Sequence, residues 1–296
     1  MERYFNIFLD SYSGYWNYLK GEILDPGFHN YFYWLIGISL IAWLLEIIIP
    51  WRKKQGIFRR DFWLDGFYMF FNFFLFSLII YNGISNVVVE FFNDLLAQIG
   101  ITNIVAIEVM EWPVWLQLIT MFVLADFIHW NVHRWLHRVP WLWQFHKLHH
   151  SVKEMGFAAH LRFHWMETVI YKSVQYIPLA MIGFGLDDFF IVHIIAMSIG
   201  HLNHANLGWN YGPLKYVFNN PQMHIWHHSR KIPEGHRYGV NYGISLSIWD
   251  YIFRTAAIPH DGRDIQLGFD GDEEYPADFG KQIIYPLRTR KNENAE

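Results

Sequence analysis

The sequence predicts an all-α fold: a polytopic membrane helix bundle of about four or five membrane helices or hairpins, with a histidine-rich site at its cytoplasmic face. Composition is the first reason. Of 296 residues, 53% are apolar, 20% are aromatic and only 17% are charged, against about 25% charged in an ordinary soluble domain. The second is a series of nearly uncharged stretches long enough to cross a hydrocarbon core roughly 30 Å thick. The third is histidine placement: six of the 17 histidines fall within Asp126–Ser151, at helical spacing.

Residues 1–29 are mixed and aromatic, read either as an interfacial helix or as a partly ordered leader. MERYFNIFLDSYSGYW carries acids and aromatics where a signal peptide would carry a basic region before an apolar core, so no cleaved targeting segment is expected. Tyr31 to Ile49 is the first span, with Glu46 near its end. WRKKQGIFRRD, residues 51–61, follows with five basic residues, and short Lys/Arg-rich loops stay cytoplasmic. Phe62 to Tyr81 then runs outward, and residues 82–112 contain no Lys or Arg, as an exterior loop should. Pro113 opens a third span, Val114 to Ile128, which returns the chain to the cytoplasm.

Met166 to Phe184 and Phe189 to Leu202 are two apolar pieces around Gly185, Leu186, Asp187 and Asp188. They read as a hairpin that enters and leaves on one side, either spanning or shallow and re-entrant. From Ala205 the chain is more polar, with Trp249 to Phe253 the last apolar cluster, and Arg288 to Glu296 is expected to be disordered. The chain thus divides into an N-terminal membrane region (1–112), a catalytic region (113–256) and a polar tail (257–296), integrated as one domain. With no cysteine, disulfides and thiolate metal sites are excluded, and any metal must be held by nitrogen and oxygen. A net charge of −4 gives no basic footprint for nucleic acid.

His129, His133 and His137 repeat every four residues, and His146, His149 and His150 stand at i, i+3 and i+4. On helices each set projects from one face. The same pattern recurs as His224, His227 and His228, although a single HxxHH is expected only about 0.06 times by chance at this histidine frequency. Pro140 can open a helix for the second box; Asn220 as N-cap and Pro221 as first helical residue can open one for the third. Imidazole is a good ligand for iron, zinc and copper. Eight histidines exceed the four ligands of one tetrahedral zinc, so two metals are the simplest reading. His201 and His204, three apart, would complete the shell. Asp126, three residues before His129, could accept a ligand's other N–H, and His129 reads as a neighbour. His29, His193, His236 and His260 read as ordinary satisfied histidines.

These boxes, His133-Arg134-x-x-His137, His146-x-x-His149-His150 and His224-x-x-His227-His228, resemble the fatty acid hydroxylase and sterol desaturase superfamily of integral-membrane di-iron oxygenases. Further segments resemble it over roughly residues 115–256: Asp126 ahead of the first box, Arg162-Phe163-His164-Trp165-Met166-Glu167 for R-x-H-P-x-E, His204-Ala205-Asn206-Leu207 for HANL, and Asn220-Pro221 before the third box. Asn241-Tyr242-Gly243 and Trp249-Asp250-Tyr251-Ile252-Phe253 resemble the NYG and WDxxFGT endings, with Arg254 in place of glycine. The resemblance implies two iron ions bound by histidines, molecular oxygen, a lipid substrate, and electrons from a separate cytochrome b5-, ferredoxin- or reductase-like protein. It also implies Asp126 and His164 as catalytic positions. Alkylglycerol monooxygenase-like and carotenoid hydroxylase-like members share this logic, so the product stays open. The expected metal ligands are His133, His137, His146, His149, His150, His201, His204, His224, His227 and His228. A non-oxidative membrane metal sensor or carrier is the rival class; a zinc hydrolase ranks low because no HExxH is present.

Overall fold

The computed structural model describes residues 2–76, 82–100 and 109–293. Among them the protein is helical, without a strand; two isolated antiparallel bridges, Phe218 to Leu246 and Ser229 to Leu267, are the only β pairings. The expected second span runs into residues 77–81 and the expected exterior segment includes 101–108; both stretches lie outside the described residues, as do 294–296.

Helix α1 (Glu2–Leu24) packs against α4 (Asn82–Gln98), where Arg3 meets Glu90 and Asp94. Helix α2 (Tyr31–Ile48) follows an Asn30 cap, whose side chain accepts from the Tyr33 N–H. Helix α3 (Phe62–Phe70) passes into a π-helical turn, Phe71–Leu75. Helix α5 (Val114–Arg138) begins after Pro113, as expected, and carries the third apolar stretch and the first histidine box on one uninterrupted rod. Among the described residues, α2 and α5 are the helices long and apolar enough to cross a membrane, with mean hydropathy 1.8 and 1.2. Only 17% and 22% of these windows are buried by the rest of the chain, so neither is a core helix of the ordinary kind.

Helix α6 (Pro140–His150) starts on Pro140, with only Val139 between it and the end of α5. The expected hairpin is α7 (Trp165–Tyr171), a π-helical turn Lys172–Tyr176, α8 (Ile177–Ile182), then α9 (Leu186–His204). Helix α10 (Pro221–His227) opens where the sequence predicts, with the Asn220 side chain accepting from the Met223 N–H at 3.0 Å. Helices α11 (Ile248–Ile252) and α12 (Phe279–Glu293) complete the chain. Helix α12 extends into the tail that composition predicts to be disordered. Its first half is anchored, with Tyr68 donating to Gln282 at 2.9 Å and Phe279 packed on Tyr68, and a helix once nucleated propagates at little cost.

Buried ties position the histidine helices. Arg162 donates to Asp61 and Asp65 and, from its other nitrogen, to Ser151; Arg59 shares Asp65. Buried charges are tolerated only when paired and hydrogen-bonded, and this network links α3 to the segments on either side of residues 152–161. Glu46, at the end of α2, accepts from the backbone N–H groups of Phe157 and Asn206.

Candidate metal centre

Nine imidazoles converge in two groups, the ligand nitrogens in each lying within 4.8 Å of one another. The first contains His133 and His137 from α5, His146 and His150 from α6, and His227 from α10; the second contains His149, His204, His224 and His228. All are buried except His137, which is half-buried.

The boxes divide in a way that spacing alone does not reveal. In the second box the i and i+4 members, His146 and His150, join the first group and the i+3 member, His149, joins the second; in the third box His224 and His228 join the second and His227 the first. Each box projects from one face, as expected, but that face serves two groups rather than one. Residues i and i+4 lie on one side of the shared face and i+3 on the other, so α6 and α10, facing each other, each serve both groups.

Hydrogen bonds fix the imidazole tautomers. His133 Nδ1 lies 2.7 Å from the Tyr242 carbonyl, His137 Nδ1 3.1 Å from that of Tyr238, and His227 Nδ1 2.8 Å from that of Val240. In the second group, His149 Nδ1 reaches the Arg162 carbonyl at 3.2 Å and His204 Nδ1 the Gly200 carbonyl at 2.8 Å. A carbonyl only accepts, so each of these Nδ1 atoms carries the proton and each Nε2 presents a lone pair. His146 Nδ1 donates to Glu167 Oε2 at 2.8 Å in the same sense.

The Nε2 atoms then face one another: His133 to His146 at 3.1 Å, His150 to His137 and to His227 at 3.1 Å, His204 to His149 at 3.3 Å and to His224 at 2.9 Å. Between His133 and His146, or His149 and His204, no proton is available to bridge the lone pairs. Such a donor set calls for a cation. Nitrogens held about 2.0–2.1 Å from a shared cation at tetrahedral or octahedral angles stand about 2.9–3.4 Å apart, which matches these separations. Protonation would oppose this arrangement, and burial together with neighbouring imidazoles holds His146, His150, His224, His227 and His228 well below the usual histidine range and His149 at about 3.

The loop after α10 carries the first group's support. Tyr238, Val240 and Tyr242 supply their carbonyls, and between them Gly239 (φ +122°) and Asn241 (φ +54°) adopt left-handed conformations that aim alternate carbonyls the same way. A Cβ on Gly239 would come within 3.3 Å of His137 Nδ1. The Asn241 side chain donates to Met223 and Ala257 and accepts from the Ala257 N–H, tying the loop to α10. Asp250 accepts from the N–H groups of Tyr242 and Gly243, from Trp130 and from Thr255.

Three expected site residues lie elsewhere. His201 is outside both groups, because its Nε2 meets Ser39 at 3.1 Å and its Nδ1 meets His160 at 2.9 Å. Asp126 does not brace a histidine: its carboxylate accepts from the N–H groups of Ser245 and Leu246 and from Trp249, fixing the segment before α11. His164 caps α7, accepting from Met166 and donating to the Ile283 carbonyl, and so orients Glu167. Glu167, which the sequence offers only as the last letter of a motif, takes the histidine-bracing role expected of Asp126. His129 stacks on Tyr171 at 4.3 Å, as a neighbour should.

A cavity of about 190 Å³ reaches His133, His146 and His149 and is otherwise lined largely by apolar side chains such as Met121, Leu179, Phe189 and Val192. It touches both groups at once. Being smaller than the roughly 300–1,000 Å³ typical of a whole small-molecule site, it suits a segment of a long apolar molecule.

Two buried histidine groups thus meet at the base of a largely apolar cavity, and residues 118–255, which carry all nine of these histidines, match the family described as fatty acid hydroxylase. The chain is 35% identical over 161 residues to an ornithine lipid hydroxylase, OlsE, of Rhizobium tropici, covering 54% of this chain and 48% of the relative. It is 33% identical over 138 residues to the alkylglycerol monooxygenase of Homo sapiens (45% and 29%), and 26% identical over 162 residues to the fatty acid hydroxylase vlmA of a Lecanicillium species (50% and 44%). The matched stretch thus spans less than half the length of each of these relatives. No solved structure gives a significant match.

Proposed function

We propose that the protein is a membrane oxygenase that hydroxylates or desaturates a lipid, with two irons held by His133, His137, His146, His150 and His227 and by His149, His204, His224 and His228. The observation that carries this reading is the convergence of outward-protonated imidazoles at the base of an apolar cavity. A metal sensor or carrier would need the ligands but not the cavity.

Bound irons would supply activation of molecular oxygen, with electrons from an external donor, for attack on an unactivated C–H bond. The chain's own contribution is positional. Glu167 holds the proton at His146 Nδ1, the 238–242 loop holds those at His133, His137 and His227, and Arg162 and Gly200 hold those at His149 and His204. The cavity's apolar walls exclude water and present one stretch of substrate to both groups. The basic loop at residues 51–61 supports a cytoplasmic orientation, where a soluble electron donor would reach the site.

The names of the relatives, a lipid hydroxylase, a monooxygenase and a fatty acid hydroxylase, agree in substrate class. Oxidative cleavage of an ether lipid is the second reading, favoured by the match to alkylglycerol monooxygenase. Mass comparison of lipid extracts from cells with and without the gene tests both. A gain of one oxygen or loss of two hydrogens on a lipid supports hydroxylation or desaturation, and loss of the ether class supports cleavage. Unchanged lipids in cells supplied with iron and reductant would contradict both readings.

A further inference from the structure

The first histidine group comes closer to the surface than the second. Of the nine imidazoles only His137 is not fully buried, and its Nδ1–H donates to the Tyr238 carbonyl at 3.1 Å. The Tyr238 side chain is itself exposed, so one residue joins the surface to a histidine of the first group. Two guanidinium groups converge on its ring. Arg138, next to His137 on α5, lies 5.7 Å from the ring centroid and Arg237 lies 5.1 Å from it, and both side chains are exposed. Arg134 stands one turn before Arg138, over the rings of Trp130 and Phe253, with its Nε buried and without an acceptor. Among the described residues none of these three arginines forms an ion pair, whereas Arg230 is taken up by Asp270, Asp272 and Glu273.

Like charges gathered without a carboxylate repel one another, and such a patch is complementary to an acidic surface. Tyr and Arg are also side chains enriched in protein–protein interfaces. Exposed Trp135 and Trp141, at the same end of the bundle, suit the level of lipid headgroups, where a soluble protein can reach. Inserting one atom of molecular oxygen into a C–H bond, while the other leaves as water, consumes two electrons and two protons. Desaturation, with both oxygen atoms leaving as water, consumes the same. Electron transfer weakens steeply with the gap between groups, so entry is easiest where a ligating imidazole lies nearest the surface.

We propose that Arg138, Arg237 and Tyr238, with Arg134 behind them, form the docking surface of an acidic electron-carrier protein. The carrier is oxidised one electron at a time, and the electrons cross the hydrogen bond between Tyr238 and His137 into the first group. The need for electrons rests on the oxygenase reading; the docking surface is a binding property of the chain.

The test is binding to the purified full chain in phosphatidylcholine nanodiscs, without lipid turnover. The probes are two acidic carriers, a plant-type two-iron ferredoxin and the soluble haem domain of cytochrome b5. At least one should bind, more weakly as salt rises. Arg138→Glu and Arg237→Glu should each weaken binding by at least about tenfold, the scale of a charge reversed within an interface. Arg138→Gln and Arg237→Gln should weaken it less, in the same direction. Metal content should stay unchanged in all four, because His137 is held by the backbone of Tyr238. Lys53→Glu and Lys54→Glu, on the basic loop at residues 51–61, should leave the affinity within about twofold. Failure of both probes to bind the unaltered protein overturns the proposal whether or not a variant folds. So does binding that survives both arginine reversals, or that the Lys53 and Lys54 reversals weaken equally. Displacement of the probe by glycerophosphoserine at constant ionic strength would assign the patch to a lipid headgroup and overturn it as well. Arginine-dependent binding in a protein that oxidises no lipid would count against the oxygenase reading alone.

Discussion

The two histidine groups use the same helices but differ in how their imidazoles are held. In the first, four of five Nδ1 protons have acceptors, three of them carbonyls of the single 238–242 loop and one a carboxylate. In the second, His149 and His204 have carbonyl acceptors, whereas His224 Nδ1 and His228 Nδ1 are buried without a partner. Each unsatisfied buried nitrogen costs about 1–3 kcal/mol. Ligand spacing is therefore supplied equally to both groups by helix geometry, while tautomer and ring orientation are fixed firmly only in the first. The first group is preorganised and the second is softer.

Removing a ligand is the largest perturbation and should cut each group separately. His150→Ala and His149→Ala, neighbours on α6, should each abolish oxygenation and each lower metal content from two per chain to one. Metal analysis showing loss of both metals from either variant would merge the groups into one. Glu167→Gln should weaken only the first group, by about 10–100-fold in metal affinity or activity, the usual cost of losing a carboxylate that braces a ligating histidine. Titration with a graded chelator should empty the second group first, at an affinity about tenfold weaker, since one unsatisfied nitrogen is worth that much. Simultaneous release would remove the distinction between a firm and a soft group.

Acid provides a control to which the two groups should respond alike. His146, His150 and His227 in the first group and His149, His224 and His228 in the second are all held neutral by burial, with pKa values below the ordinary 6.5. The unfolded chain takes up protons below pH 6.5 and the folded chain does not. Stability of the metal-free protein should therefore be full above about pH 6.5 and decline as the pH falls below it. Thermal unfolding across that range checks the sign. The smallest effect belongs to Arg254, whose φ of +57° occupies a conformation that suits glycine. Arg254→Gly should stabilise the protein by no more than about 1 kcal/mol, measured in the same melts, through the loop that bonds Asn241 to Thr255 beneath the first group.

Helical spacing made the boxes visible, and the Pro140 and Asn220-Pro221 starts placed them on α6 and α10, because side-chain periodicity and caps are written in residue identity. The split of each box between two groups was not legible, since spacing defines a face but not which side of it meets a given partner. Neither were the Tyr238, Val240 and Tyr242 acceptors, because every residue has a carbonyl. Asn241 and Asp250 carried the available signal, as motif letters that bend and pin that loop. His201 shares the spacing of true cluster members, but Ser39 on α2 and His160 intercept it, and contacts across such sequence distances leave no local trace. Glu167 took the bracing role expected of Asp126 for the same reason.

Iron quantification on the purified full chain, paired with oxygen consumption in the presence of lipid and reductant, tests the central claim most directly. Two irons per chain and lipid-dependent oxygen uptake are expected. Zinc alone, with no oxygen uptake after iron reconstitution, would contradict a di-iron oxygenase built on these nine histidines.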